Sequence, residues 1–448
     1  MVRFRILVFL TIWFAGAGIG TGICEETKLL SLQGAVRIAV EHNPEVRAFG
    51  NALSAQQEDI GVARSFLLPK LALEENAART NNPPNIFMMK LNQERFAQSD
   101  FAVDKLNKPA PINDFQTLVS LEQPLFARKA QIGLTMAKQE YAAKKEDFLR
   151  KKEEIALRVS QAYLKILTTR ECVSVARKAL EDAREHARIA ELRHNADLGL
   201  YSDALRARTS VTEAEQRLVK VETDLAVAKR WLALLLGMDD SVDVASENLI
   251  VPLKEIDYYL SVSPARRDIT ALKLRRENAQ NNVKLAESRY FPTLGLRGTY
   301  QLNDHNNAFG SEGNSWLVMA SLRWDLFDGA NREFERRKAL HKAAETEEHL
   351  KGLKQLASFK IHEAYLTVEE VRKSLELSKS ALESAEEGRR LVRIRYENSL
   401  SPIVDLLDVQ LTLDHARANA VARQNDYFLA IINLGYESGT IMKDLQVE

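Results

Sequence analysis

Tyr290-Phe291-Pro292-Thr293-Leu294-Gly295-Leu296-Arg297-Gly298-Thr299-Tyr300-Gln301-Leu302 is the stretch that decides the fold, because its hydrophobic period is two while nearly everything around it runs at three to four. Leu294, Leu296, Gly298, Tyr300 and Leu302 make an apolar face, and Thr293, Gly295, Arg297, Thr299 and Gln301 a polar one. A turn-rich segment from Asn303 to Asn314 leads into a second alternation. There Trp316, Val318, Ala320, Leu322, Trp324 and Leu326 oppose Ser321, Arg323 and Asp325. The pattern predicts a β-hairpin with strands of about ten residues each. That length, with aromatics near the ends of the apolar face, fits a transmembrane hairpin better than one lying on a soluble core.

Outward from this stretch, the 448 residues carry no net formal charge and a pI near 7.1, which disfavours a polyanionic partner such as nucleic acid. Basic pairs such as Arg266-Arg267, Arg336-Arg337 and Arg389-Arg390 are interleaved with acids and read as solvated helix faces. Residues 1–20 have the order of a secretory signal peptide: Arg3 and Arg5, the apolar run Ile6 to Phe14, then small residues, with Ala15-Gly16-Ala17 as the expected cleavage site. Cys24 is a candidate lipidation site, although Ile23 stands where a lipoprotein signal has a small residue. Cys172 lies in mid-helix, and two cysteines this far apart make no disulfide scaffold. No later segment has eighteen consecutive apolar residues, so a mature chain that enters a membrane must do so with strands.

A helix pattern runs from Leu30 to Phe66 and restarts at Asn43-Pro44. A weaker pair of strands, about 66–77 and 116–126, is joined by a Pro- and Asn-rich segment expected to be a surface excursion. Between Gly133 and Gly199, Ile155, Val159, Ala162, Ile166, Thr169, Val173, Leu180, Ala183, Ala187 and Ala190 form a heptad seam on a helix too long for a compact globule. After a break, a return helix ends at Gly237. An acidic, irregular connector over 238–263 follows, and the same programme then repeats, with strands expected at about 291–302 and 315–327.

The repeat is exact in its spacing. Ala162-Tyr163-Leu164 matches Ala364-Tyr365-Leu366 at an offset of 202, as do Arg193 with Arg395, Leu198 with Leu400 and Asp203 with Asp405. Pro69 and Pro292 are 223 apart and Leu125-Phe126 and Leu326-Phe327 only 201, so the first hairpin carries 22 extra residues in its tip. The chain divides into a first repeat, 28–237, the connector, a second repeat, 264–440, and a tail, 441–448. Two hairpins give four strands, and an open sheet edge in lipid leaves backbone groups unpaired at several kcal/mol each. Several chains must therefore pool strands. Eight strands leave an interior that side chains fill, whereas polar inward faces carrying Ser120, Glu122, Arg297, Thr299, Ser321 and Arg323 suit the wider lumen of a trimer.

Duplicated motifs carry a resemblance over essentially the whole mature chain. They are Asn43-Pro44-Glu45-Val46, Phe66-Leu67-Leu68-Pro69 with Tyr290-Phe291-Pro292-Thr293, and Gln123-Pro124-Leu125-Phe126 with Trp324-Asp325-Leu326-Phe327. By these the chain resembles the TolC family of outer-membrane efflux and secretion channels. The resemblance implies a mainly α fold with transmembrane β: a trimeric 12-stranded barrel in the outer membrane, continued by a coiled-coil α-helical barrel across the periplasm. It also implies an equatorial girdle, docking onto a periplasmic adaptor protein, and an inner-membrane pump of the resistance-nodulation-division or ABC type. The family's gate maps onto the paired acids Asp405 and Asp408, the latch tyrosine Tyr396 and its acidic partner Asp203. Asp405 and Asp408 are one turn apart, so threefold symmetry would gather six carboxylates around the axis. As ordinary first-turn acids after Pro402 they would instead serve only the helix dipole. Asp197 and Ser399 replace the family's tip glycines, and Ser401 replaces a basic latch residue of some members.

No Cys or His cluster has zinc-like spacing, and no phosphate-cradling glycine loop or nucleophile elbow occurs, so neither a metal, a cofactor nor an enzyme is expected. Energy for transport must come from a partner. The rival expectation is a non-conducting coiled-coil envelope tether, which needs no lumen.

Overall fold

The structure is a computed structural model that describes residues 29–246, 252–398 and 400–447. Residues 1–20, Cys24 and Ser399 lie outside the described residues. In chain order the elements are α1 (Leu32–His42), α2 (Pro44–Ser65), β1 (Lys70–Thr80), α3 (Pro83–Asn92), α4 (Val103–Asn107), β2 (Ile112–Phe126), α5 (Arg128–Asn195) and α6 (Tyr201–Leu236). The second half has α7 (Ile256–Val262), α8 (Arg267–Glu287), β3 (Thr293–Asp304), β4 (Gly313–Arg323), α9 (Asn331–Glu397), α10 (Ile403–Ser438) and α11 (Ile441–Asp444).

The strands form one antiparallel sheet in the order β1-β2-β3-β4. Its register sorts most side chains by polarity, with Leu317 and Met319 on the polar face and Glu75 and Thr117 on the apolar one among the exceptions. Leu71 pairs with Leu121, Leu121 with Gly298 and Gly298 with Val318 on the apolar face, while Lys70 pairs with Glu122 and Glu122 with Arg297 on the other. β3 reaches Asp304 and β4 starts at Gly313, so the turn-like residues Asn303, Gly313 and Asn314 are in the ladder. The last two belong there because β4 starts against β3 three residues before its first apolar residue, Trp316. At the other end β4 stops at Arg323, short of Trp324 and Leu326. Phe66 to Leu68 form a turn, and β1 begins at Lys70.

α5 and α9, of 68 and 67 residues, are each about 100 Å long. Each meets its return helix, α6 or α10, in an antiparallel pair whose seam is buried at Ile155, Val159, Ala162, Ile166, Ala183, Ala187 and Ala190 on α5. Both breaks are built alike. Leu198 N–H donates to the Arg193 carbonyl at 2.8 Å, and Leu400 N–H to the Arg395 carbonyl at 2.7 Å, which are Schellman-type caps. Asp197 holds a left-handed φ of 58°, the conformation a glycine would adopt without a Cβ penalty. The return helices also end alike, on left-handed Gly237 (φ 72°) and Gly439 (φ 82°), again 202 residues apart.

The main core lies at mid-length, where α1, α5, α6, α10 and α11 meet around Leu32, Val36, Ile155, Tyr163, Ile166, Leu232, Leu236, Ile432 and Ile441. Asn43 shapes the entry: its Oδ1 accepts from Glu45 and Val46 N–H, and its Nδ2 donates to the Leu235 carbonyl at 2.8 Å. Leu30 and Val244 make a parallel bridge, and Tyr163 O–H donates to the Ala245 carbonyl at 2.7 Å, so the N-terminal segment and the connector gird the bundle together. The connector, expected to be irregular, contains α7, whose Tyr259 packs on Ile361 and Leu434. Among the described residues no helix is long and apolar enough to cross a membrane.

Candidate functional site

The end of the helical pairs remote from the sheet brings together most of the expected gate residues. Ile403 and Leu406 on the first turns of α10 bury against Ala187, Ala190 and Ala207, which turns the intervening Val404 and Asp405 outward. Asp405 and Asp408 are both exposed. Asp408, but not Asp405, lines a cleft of about 580 Å³ between α6 and α10, with Leu205, Arg206, Glu213, Leu407 and Asp414.

Tyr396 is buried beneath the Arg193 guanidinium, 4.9 Å from its ring centre, and Arg193 Nη1 donates to the Tyr396 carbonyl at 2.8 Å. Burial pushes the Tyr396 hydroxyl above its usual range; Arg193 opposes this and the Asp203 charge adds to it. Asp203 thus acts on the tyrosine through its field, and the hydrogen bond that fastens Tyr396 to the first repeat comes from Arg193. The cause is local: the cap at Leu198 draws Arg193 to the helix end, opposite Tyr396. The Ser401 hydroxyl is buried without a hydrogen-bond partner, so it replaces neither the charge nor the reach of a basic latch.

About three turns back along α5 from Arg193 lies a polar cluster that periodicity did not single out. Asp182, 8% exposed, sits inside the seam. It accepts from Arg389 Nη2 of α9 at 3.4 Å and from Gln410 Nε2 of α10 at 3.3 Å, with Lys178 at 3.8 Å and Arg417 at 3.9 Å. Gln410 also donates to Asp414 at 3.0 Å and accepts from Arg389 Nε at 3.1 Å. His186, one turn on, is buried with neither ring nitrogen in a well-formed hydrogen bond, although the Gln410 amide lies alongside. Burial lowers the His186 pKa, helped by Arg389 and Arg393 and opposed by Gln410 and Asp182. Burial raises that of Asp414, against Gln410, Arg417 and Arg217 and with Asp182. A small cavity joins this cluster to Tyr396, lined by His186, Arg389, Arg393 and Leu406. One carboxylate thereby ties the α5/α6 pair to the α9/α10 pair. An acid at a helical spacing looks like a solvated face in sequence, and only the packing of the two pairs reveals it as interior.

In the sheet, Ser120 stands opposite Thr299, Glu122 opposite Arg297, Gly295 opposite Ser321 and Thr293 opposite Arg323, so the six polar residues share one face. Glu122 and Arg297 form an ion pair at 3.5 Å. Asp304, His305 and Glu312 at the hairpin tip are the one trio among the described residues with metal-ligating atoms close together. The loop already satisfies it: His305 Nδ1 meets Glu312 at 2.6 Å, and Asp304 accepts from the Asn306 and Asn307 N–H groups.

Comparison with known proteins agrees with this architecture. The family described as "Outer membrane efflux protein" matches residues 35–238 and 263–436, one segment for each repeat. Protein CyaE of Bordetella pertussis is 25% identical over 389 residues, covering 85% of this chain and 78% of that protein. Outer membrane protein TolC of Vibrio cholerae is 22% identical over 438 residues, covering 90% and 89%. The crystal structure of the Campylobacter jejuni CmeC outer membrane channel superposes with a TM-score of 0.76 at 15% identity, covering 96% of this chain and 94% of that one. The chain belongs to the outer membrane efflux protein family, as an outer-membrane channel with a long periplasmic helical part.

Proposed function

We propose that three copies of this chain close a 12-stranded barrel and form a passive exit duct, opened at its periplasmic tip by an adaptor protein and an inner-membrane pump. The observation that carries this reading is the sheet itself. β1 and β4 each have one unpaired edge, and Leu71, Trp316, Val318 and Leu322 lie exposed on the apolar face. In lipid such edges cost several kcal/mol per unpaired group, and joining β4 of one copy to β1 of the next removes that cost.

The polar face then lines the lumen, with Ser120, Glu122, Arg297, Thr299, Ser321 and Arg323 along the wall. At the tip, Asp405 and Asp408 supply the acidic constriction, while the Arg193–Tyr396 contact and the Asp182 cluster hold the α9/α10 pair shut against α5/α6. Opening swings one pair off the other, and the polar cluster sets how much work that takes. The duct has no energy source of its own, so the pump supplies it and selects the cargo. Planar-bilayer recording of the purified protein tests the reading. Cation-selective single channels that enlarge with Asp405→Ala plus Asp408→Ala are expected. No conductance in either protein would refute the duct and favour a tether.

A further inference from the structure

Resting on that duct reading, we propose a second constriction: residues 83–107 fold inward as a lid at the outer mouth, and the first hairpin alone supplies it. The sheet register settles which way this segment folds. Asn303 lies opposite Gln116 and Gly313, and Asp114 lies two residues from Gln116, so all of these belong to the polar face. A Cβ built on Gly313 would overlap the Asn92 carbonyl oxygen, which puts the end of α3 directly against the polar face of β4.

α3 starts three residues after β1 ends and finishes against β4. Its ten residues span about 15 Å, which matches three strand spacings of about 4.8 Å, so the helix crosses the whole sheet end on the polar side. Gln93, only 1% exposed, pins it there. Its Nε2 donates to the Asn113 carbonyl at 3.0 Å and to Asp114 Oδ1 at 2.8 Å, and Asn303 Nδ2 donates to both Asp114 oxygens at 3.0 and 3.1 Å. The rest of the segment has a small core of its own. Phe96 meets Phe87 and Phe101 edge to face at 4.8 and 5.1 Å, and Lys90 pairs with Asp100 at 2.7 Å. The other hairpin behaves oppositely: its tip folds onto the apolar side, where Phe309 N–H donates to Glu75 at 3.2 Å.

Twelve strands at the usual spacing and tilt give a wall radius of roughly 12 Å, and a helix with its side chains is about 10 Å across. Three such helices on the inner rim fill most of the mouth. The duct would then have two barriers in series, and releasing the periplasmic one alone leaves the outer one limiting.

The test compares single-channel conductance in planar bilayers for the full-length protein, Asp405→Ala/Asp408→Ala, and that double variant combined with Gly313→Leu, which displaces Asn92. Gln93→Ala, which removes the pin without steric strain, is the parallel variant. Exclusion of neutral polymers added to the outer side supplies an independent size. With the periplasmic gate released, each lid variant should raise conductance at least about threefold and admit larger polymers. In the gate-closed protein the same lid changes should leave conductance unchanged. If the gate variant conducts but neither lid change alters conductance or polymer size, the lid is refuted and the duct stands. If nothing conducts, the duct reading fails and the lid with it.

Discussion

Replacing Arg389 with alanine should loosen the closed tip by a calculable amount. Asp182 keeps 11% of its side chain exposed and Arg389 21%, so solvent screens this pair only partly. Breaking a buried pair by removing one partner costs about 3–5 kcal/mol. Lys178 at 3.8 Å and Arg417 at 3.9 Å remain near the carboxylate, and Gln410 still donates at 3.3 Å. Those groups retain about half of the compensation, leaving a cost of about 2 kcal/mol to the contact between helical pairs, or roughly thirtyfold in an opening equilibrium per protomer. Single-channel open probability in planar bilayers reads this directly. Asp182→Asn removes the buried charge while keeping an acceptor, and should cost less than Arg389→Ala. The double variant should fall short of the sum by about 1 kcal/mol or more, since the partners touch. Strictly additive effects, or an open probability unmoved by Arg389→Ala, would show that the cluster is not what holds the pairs together.

Asp405→Ala with Asp408→Ala should lower cation preference; an unchanged reversal potential in a salt gradient would take the two acids out of the constriction. Acid should weaken the tip contact through His186: its lowered pKa makes a stabilising contribution that is complete above the ordinary value of 6.5 and lost as pH falls through the folded-state value. His186→Gln should therefore flatten the rise in open probability below that pH. Asp414 works in the opposite sense, because its raised pKa means a contribution present below the ordinary 3.8 and lost as pH rises through the folded value. Asp414→Asn should accordingly make the closed tip more stable at neutral pH, as read by open probability at pH 7.5. At Asp197, φ 58°, glycine should relieve up to about 1 kcal/mol of left-handed strain and raise the thermal midpoint. No rise would mean that the Asp side chain repays its backbone.

The period-two run was readable because a sheet with one polar and one apolar face writes both into the chain, and the register then placed Glu122 beside Arg297 as the alternation required. The 202-residue offset was readable down to single residues, since Arg193 and Arg395 accept the same cap hydrogen bond. The folded insert was not. Its Pro and Asn residues read as loop signals, yet Asn82 caps α3 with Pro83 behind it, and three phenylalanines far from any periodic run supply the core. Asp182 and His186 were hidden for another reason. A heptad seam identifies which residues face a partner helix within one pair, but burial of these two depends on a second pair 200 residues away. The resemblance gives Tyr396 an acidic partner in Asp203; the hydrogen bond from Arg193 to the Tyr396 carbonyl is a further contact that no spacing in the sequence reveals.

The two unpaired edges of the sheet also have a genetic consequence. In the proposed trimer every chain lends β1 to one neighbour and β4 to the other, so a copy with a spoiled edge damages the pore it joins instead of merely being absent. A second allele altered at the outer edge of β4, expressed equally with the first, would leave only about one assembly in eight free of it if chains mix at random. Such an allele should be dominant, and a deletion of the gene recessive.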